Sequence, residues 1–217
     1  GFTTSFKYNA LGQRTETTDP SGRRAVREYN NLGLLTATVV GGQRTEYRYN
    51  SLLLLTEVAA PGGRTTRYVR DAQGRVKELF DPKGNKTSYT YNETHDAVET
   101  ATYPDGSTEE FEYLSSGEVS RFKDRGGRWT EFSYDLAGRV TKKKFLDTGE
   151  EARFTYDDAG NLLTETFNGD AVGRAYDQRG RLVSLTTGGR TITFEYFKDN
   201  QPKRRGELAY AYFPNGR

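Results

Sequence analysis

A tyrosine followed by Asp or Asn, with glycine four residues after the tyrosine, recurs along this chain of 217 residues. The anchors are Tyr8, Tyr29, Tyr49, Arg70 (in the tyrosine slot), Tyr91, Tyr113, Tyr134, Tyr156, Tyr176, Tyr196 and Tyr212. Successive intervals are 21, 20, 21, 21, 22, 21, 22, 20, 20 and 16 residues. A fixed period of this length means that one small supersecondary unit is copied and stacked. About ten units fill residues 1–217, with an irregular last unit at 197–212.

Each position of the unit has a physical reading. Two residues before the anchor stands an aromatic in most units: Phe6, Tyr47, Tyr68, Tyr89, Phe111, Phe132, Phe154, Phe194 and Tyr210. Two residues earlier again come Thr4, Thr45, Thr66, Thr87, Thr130, Val172 and Ile192, and charged residues interleave. Alternation with a period of two predicts a half-buried strand. The Asp or Asn after the anchor can bond the backbone ahead of it and open a turn. Gly12, Gly33, Gly74, Gly117, Gly138, Gly160 and Gly180 then supply the positive φ that the turn needs. Gly216 occupies the same slot at the last anchor. His95 and Asn200 replace glycine there and tolerate left-handed backbone, whereas Leu53 does not, so its turn is expected to differ. A second strand follows, then a turn such as "DPSG" at Asp19, "DPKG" at Asp81 or "YPDG" at Tyr103. The unit is thus a β-hairpin, and tandem hairpins predict an all-β chain forming one long antiparallel ribbon that twist makes coil.

Composition agrees with a thin sheet. Only 33% of residues are hydrophobic, yet there are 15 Tyr and 12 Phe, which suits a layer with one aromatic face. The net charge of +2 implies no strong electrostatic partner, neither nucleic acid nor membrane. There is no Cys, so disulfides are excluded, and no apolar run approaches the ~20 residues of a spanning helix.

The phrases "YNALGQR", "RDAQGRV", "YDLAGRV", "YDDAGNLL" and "YDQRGRLV", alternating with "DPSG" and "DPKG", resemble the RHS or YD repeat over essentially the whole chain. That resemblance implies a β ribbon spiralling into a hollow shell. In bacterial polymorphic toxins and insecticidal toxin complexes such shells enclose a toxic C-terminal domain; animal teneurins use similar repeats in adhesion. The bacterial type is the nearer, since the units lie close to the family phrase. The implied partners are the remaining repeats of a parent shell and an enclosed C-terminal toxin or cargo polypeptide. The implied location is secreted or cell-surface, reached through a secretion system or toxin complex. The family's self-cleaving core, with its "DPxGL"-like motif, is not in this sequence, so an excised or cleaved piece of a longer shell is expected.

No residue calls for chemistry. Many identical joints fit a lattice better than a catalytic pair, so no enzyme, no cofactor and no metal are expected. The single His95 reads as a strained turn residue, and Asp157, Asp158 and Asp177 as turn residues without the alternate spacing of a calcium loop. Basic clusters at Lys142–Lys144 and Lys203–Arg205 read as solvated strand and loop surface, the latter within an irregular segment that lacks the usual turn. Leu52, Leu53, Leu54 and Leu55 form a possible contact patch for cargo or a plug; as a strand they would face both ways. The rival to a shell is an adhesion or receptor-binding module presenting aromatic and basic strand faces.

Overall fold

The structure is a computed structural model that describes residues 3–211. Tyr212 and Gly216 therefore lie outside the described residues. Among the described residues every element is a β-strand, and the strands follow one another by hairpins. The chain divides into two compact units, residues 1–109 and 110–217.

In the first unit the strands are β1 (Ser5–Tyr8), β2 (Arg14–Thr18), β3 (Arg24–Tyr29), β4 (Leu35–Val40), β5 (Gln43–Tyr49), β6 (Leu55–Ala60), β7 (Arg64–Arg70), β8 (Val76–Phe80), β9 (Lys86–Asn92) and β10 (Ala97–Thr102). Each pairs antiparallel with the next. The division falls within β11 (Thr108–Tyr113), most of which belongs to the second unit with β12 (Val119–Lys123), β13 (Trp129–Tyr134), β14 (Val140–Phe145), β15 (Glu151–Tyr156), β16 (Leu162–Phe167), β17 (Asp170–Tyr176), β18 (Leu182–Thr187), β19 (Arg190–Tyr196), β20 (Pro202–Arg205) and β21 (Leu208–Ala209). Its strands also pair in chain order.

Each unit is a single layer. Among the described residues only Ala37, Ala101 and Ala152 are buried hydrophobics, and no large side chain is fully enclosed. Stability must come from side chains lying against cross-strand neighbours, each pair worth about 0.2–1 kcal/mol. The register puts Phe132, Tyr134, Val140 and Phe145 on one face, and Ser133, Lys142 and Lys144 on the other. Phe111 meets Phe122 across the ladder with ring centroids 5.0 Å apart. The polar face carries ion pairs such as Arg44 with Glu28 (2.7 Å), Arg48 with Glu57 (2.6 Å) and Lys123 with Glu110 (2.8 Å). Exposed pairs of this kind contribute little each, but they let charge stand on a sheet without repulsion.

One feature is absent from a plain alternating pattern. Among the described residues every hairpin closed by a Tyr-type turn has a bulge at the same place, between the anchor and the residue before it. Tyr134 pairs with Val140 but Ser133 pairs with Lys142, leaving Thr141 as the extra residue. The hairpins closed by the other turns keep an unbroken register. A bulge bends its strand and raises local right-handed twist, so bending enters each unit through one hairpin in two.

Candidate functional site

The recurrent structure is the joint between repeats, built first from the turn. At Asp135 the carboxylate Oδ1 accepts the backbone N–H of Ala137 and Arg139, both at 3.0 Å. The backbone closes around it: Asp135 N–H donates to the Arg139 carbonyl and Gly138 N–H to the Asp135 carbonyl, each at 3.0 Å. Gly138 has φ 75°, where a Cβ would be strained. Asn30 makes the same set of bonds with neutral chemistry.

The anchor then reaches into the preceding repeat. Tyr134 donates its hydroxyl to the carbonyl of Val119 at 2.8 Å. Val119 is the first residue of the preceding bulged strand, paired with Tyr113. The same bond joins Tyr29 to Arg14, Tyr49 to Leu35, Tyr91 to Val76, Tyr156 to Val140, Tyr176 to Leu162 and Tyr196 to Leu182, at 2.7–3.1 Å. A bulge interrupts the ladder, and the phenol satisfies a carbonyl beside it. Arg70, which stands in the tyrosine slot, donates Nε–H to the Leu55 carbonyl at 2.9 Å and Nη1–H to the Gly74 carbonyl at 2.8 Å. The substitution thus keeps the bond. Burial pushes the Tyr49, Tyr91 and Tyr134 phenols up from their ordinary value, so they stay protonated donors.

A third component lies just after the glycine. Arg139 donates Nε–H to Asp135 Oδ2 at 2.7 Å and Nη1–H to the Asp157 carbonyl of the next turn at 2.9 Å. Its guanidinium lies 4.8 Å from the ring centre of Tyr156. Arg181 repeats this with Asp177, the Phe197 carbonyl and the Tyr196 ring, and Arg75 with Asp71, Asp96 and the Tyr91 ring. Gln13 uses its amide on the Gly33 carbonyl at 2.8 Å. Planar, multiply donating groups suit a joint that must hold a carboxylate, a carbonyl and a ring face together. These residues were not singled out from sequence, although the recurring "GR" after the turn was there to be seen.

Several expectations change. Leu53 takes φ 60° and the turn is the ordinary one: Asn50 N–H donates to the Leu54 carbonyl and Leu53 N–H to the Asn50 carbonyl. The side-chain and backbone bonds of Asn50 outweigh the steric preference of leucine. Leu52 through Leu55 are therefore not one strand. Leu52 and Leu53 are exposed in the turn, Leu54 lies against Gly74, and Leu55 begins β6. His95 does not hold the left-handed position; the longer turn moves it to Asp96, with φ 53°. The segment after Tyr196 has the usual turn after all, with Phe197 in the Asp slot and Asn200 at φ 70°. Lys203–Arg205 lie on exposed β20. The three lysines of β14 divide between faces: Lys142 and Lys144 on the charged one, Lys143 with its ammonium 5.6 Å from the Phe154 ring centre. The carboxylates of Asp157 and Asp177 are taken up by Asn161 and by Arg179 and Arg181 within their own turns.

These carboxylates titrate below the usual aspartate range. At Asp135 the chief cause is the N–H of Arg139; at Asp177 it is the Arg181 guanidinium, and at Asp157 the Asn161 amide. A lowered folded value stabilises fully above the ordinary aspartate pKa, about 4, and that stability is lost as pH falls through the folded value. Urea midpoints measured from pH 7 down to pH 2 should hold above about 4 and then drop. The variant Asp135→Asn/Asp157→Asn/Asp177→Asn, whose amides retain the turn acceptor, should fall less steeply. An equal slope in the variant would assign acid sensitivity to other groups.

A family profile described as Teneurin YD-shell matches residues 1–144. Double-stranded DNA deaminase toxin A of Burkholderia cenocepacia (strain H111) is 33% identical over 140 residues, covering 55% of this chain and 10% of that protein. Among solved structures, TcdB2-TccC3-TEV superposes with a TM-score of 0.79 at 13% identity, over 92% of this chain and 12% of that one. The Photorhabdus luminescens Tc holotoxin pore gives a TM-score of 0.73 at 19% identity, over 95% and 12%. The chain thus spans about a tenth of the length of the proteins it matches.

Proposed function

The chain belongs to the Teneurin YD-shell family, and from that premise we propose that it is a stretch of shell wall that encloses a toxin or other cargo polypeptide and does no chemistry itself. The observation that carries this reading is the copied joint. The phenols from Tyr29 to Tyr196 that form the latch each hold a backbone carbonyl of the repeat before. The neighbouring Asp and Asn side chains each hold backbone N–H groups of their own turn. Phenols and carboxylates of the kind that catalysis uses are committed here to extending a sheet. A wall of paired backbone, charged on one face, separates a polypeptide from solvent and proteases. Its partners in this reading are further repeats of the same polypeptide and the cargo. Secretion follows from the toxins to which the chain is similar.

Electron microscopy of the full-length polypeptide carrying these repeats tests the proposal. A closed particle with density inside, whose cargo resists added protease, is the expected result. A solid or extended particle, or cargo digested as fast as the isolated cargo domain, would rule containment out.

A further inference from the structure

We propose that the aromatic face of the first unit holds a binding site for a carboxylate, and that its ligand is the side chain of an aspartate or glutamate on another polypeptide segment. The site is centred on Arg27. In most units an aromatic stands two residues before the anchor; Arg27 and Arg174 stand there instead. The chain therefore contains the same substitution twice, once with a carboxylate beside it and once without.

In the second unit the charge is met within the chain. Glu165 pairs with Phe154 on one side and with Val172 on the other, which places it diagonal to Arg174 on the same face. Diagonal neighbours are within reach of long side chains, and Arg174 donates Nη2–H to Glu165 Oε2 at 3.2 Å. The register of the first unit is the same: Thr17 pairs with Phe6 and with Ala25, and so lies diagonal to Arg27. Threonine thus holds the place of Glu165. Nη1 of both arginines is buried without a hydrogen-bond partner, and so is Thr17 Oγ1. Arg174 is answered through Nη2; Arg27 has no carboxylate among the described residues.

Local charge selects an anion. Arg14, opposite Tyr8, stands where Leu162 stands opposite Tyr156, so the first unit adds a second cation to this face; its guanidinium lies 5.5 Å from the Phe6 ring centre. The acidic residues of β1–β4 are Glu16 and Glu28. Both project from the opposite face, where Lys7 and Arg24 hold the first and Arg44 the second. Two cations thus share a face that has no carboxylate of its own in these strands. A partly desolvated cation gains more from an anion than a solvated one does. Arg27 keeps part of its surface in solvent, which leaves a route for a ligand. Glu165 identifies the chemistry that fits: one carboxylate on a short flexible stem, taking Nη2. The inference holds whether or not the wall closes around a cargo, because it rests on two copies of one position within the chain.

Heteronuclear NMR of the chain with isotope-labelled arginine tests the site at low ionic strength, where screening is least. The probe is N-acetylglutamic acid α-amide, whose one charge is its side-chain carboxylate. The Arg27 Nε–H signal, identified by its loss in Arg27→Lys, should shift with a Kd on the order of 10 mM. The neutral N-acetylglutamine amide should leave it still. Thr17→Glu supplies the carboxylate from within and should abolish the response, and Glu165→Thr should make the Arg174 signal titrate as that of Arg27 does. Urea unfolding reads the same charge without a probe: Thr17→Glu should have a higher midpoint than the neutral Thr17→Gln. Inorganic phosphate and N-acetylalanine represent the other anions, a phosphate and a chain terminus, and should bind no tighter than the glutamate probe. An equal shift with the neutral amide, tighter binding of phosphate or N-acetylalanine, an unaltered response in Thr17→Glu, or a Thr17→Glu midpoint at or below that of Thr17→Gln would each overturn the proposal.

Discussion

Replacing Tyr134 by alanine is expected to lower unfolding stability by about 2–3 kcal/mol, below the 3–5 of a fully buried aromatic because this residue keeps part of its surface in solvent. Tyr134→Phe separates the two parts of the effect. It keeps the ring against its neighbours and removes only the bond to the Val119 carbonyl, so about 1 kcal/mol should be lost. Urea unfolding of the three proteins measures both. In a ladder of repeats the damage should also be local, since each unit contacts mainly its neighbours. Hydrogen exchange should accelerate first in β11–β14 and last in the distant hairpins. If Tyr134→Phe unfolds at the wild-type midpoint, the phenol bond contributes nothing, and the tyrosine is kept for its ring alone.

The second large effect is a mirrored pair in the turns. Gly138 and Leu53 hold the same backbone position, at φ 75° and φ 60°. Left-handed backbone costs a side chain roughly 1–2 kcal/mol. Gly138→Leu should therefore destabilise by about that amount, and Leu53→Gly should stabilise by somewhat less, as glycine gains freedom in the unfolded chain. Thermal midpoints moving in opposite directions confirm the shared geometry. A Leu53→Gly variant that loses stability would mean that the leucine side chain supports its turn by packing.

What could be read from the residues, and what could not, follows from the range of each interaction. Hairpins and turns rest on local chemistry, so Tyr, Asp and Gly at fixed offsets announce them. The joint rests on atoms about 15 residues apart, and its acceptor is a carbonyl that no residue type encodes. Even so, the bulge left a trace. On the return strands the apolar residues sit at spacing three before they resume spacing two, as in Val119 and Phe122, or Leu182 and Leu185. That slip of one is what an extra residue does to an alternating strand. Leu53 was misjudged because residue preference was weighed without the two N–H groups that Asn50 collects. His95 was misjudged because one inserted residue shifts the left-handed position to Asp96.

The tyrosine bond also has a direction. In every instance the donor belongs to the later repeat and the acceptor to the earlier one. A chain emerging from the ribosome N-terminus first folds its early hairpins before the later ones exist. Each finished hairpin then presents an open carbonyl, and the next tyrosine to emerge fills it. The sequence is thus written in the order in which it can be assembled, like a zip whose slider travels only one way.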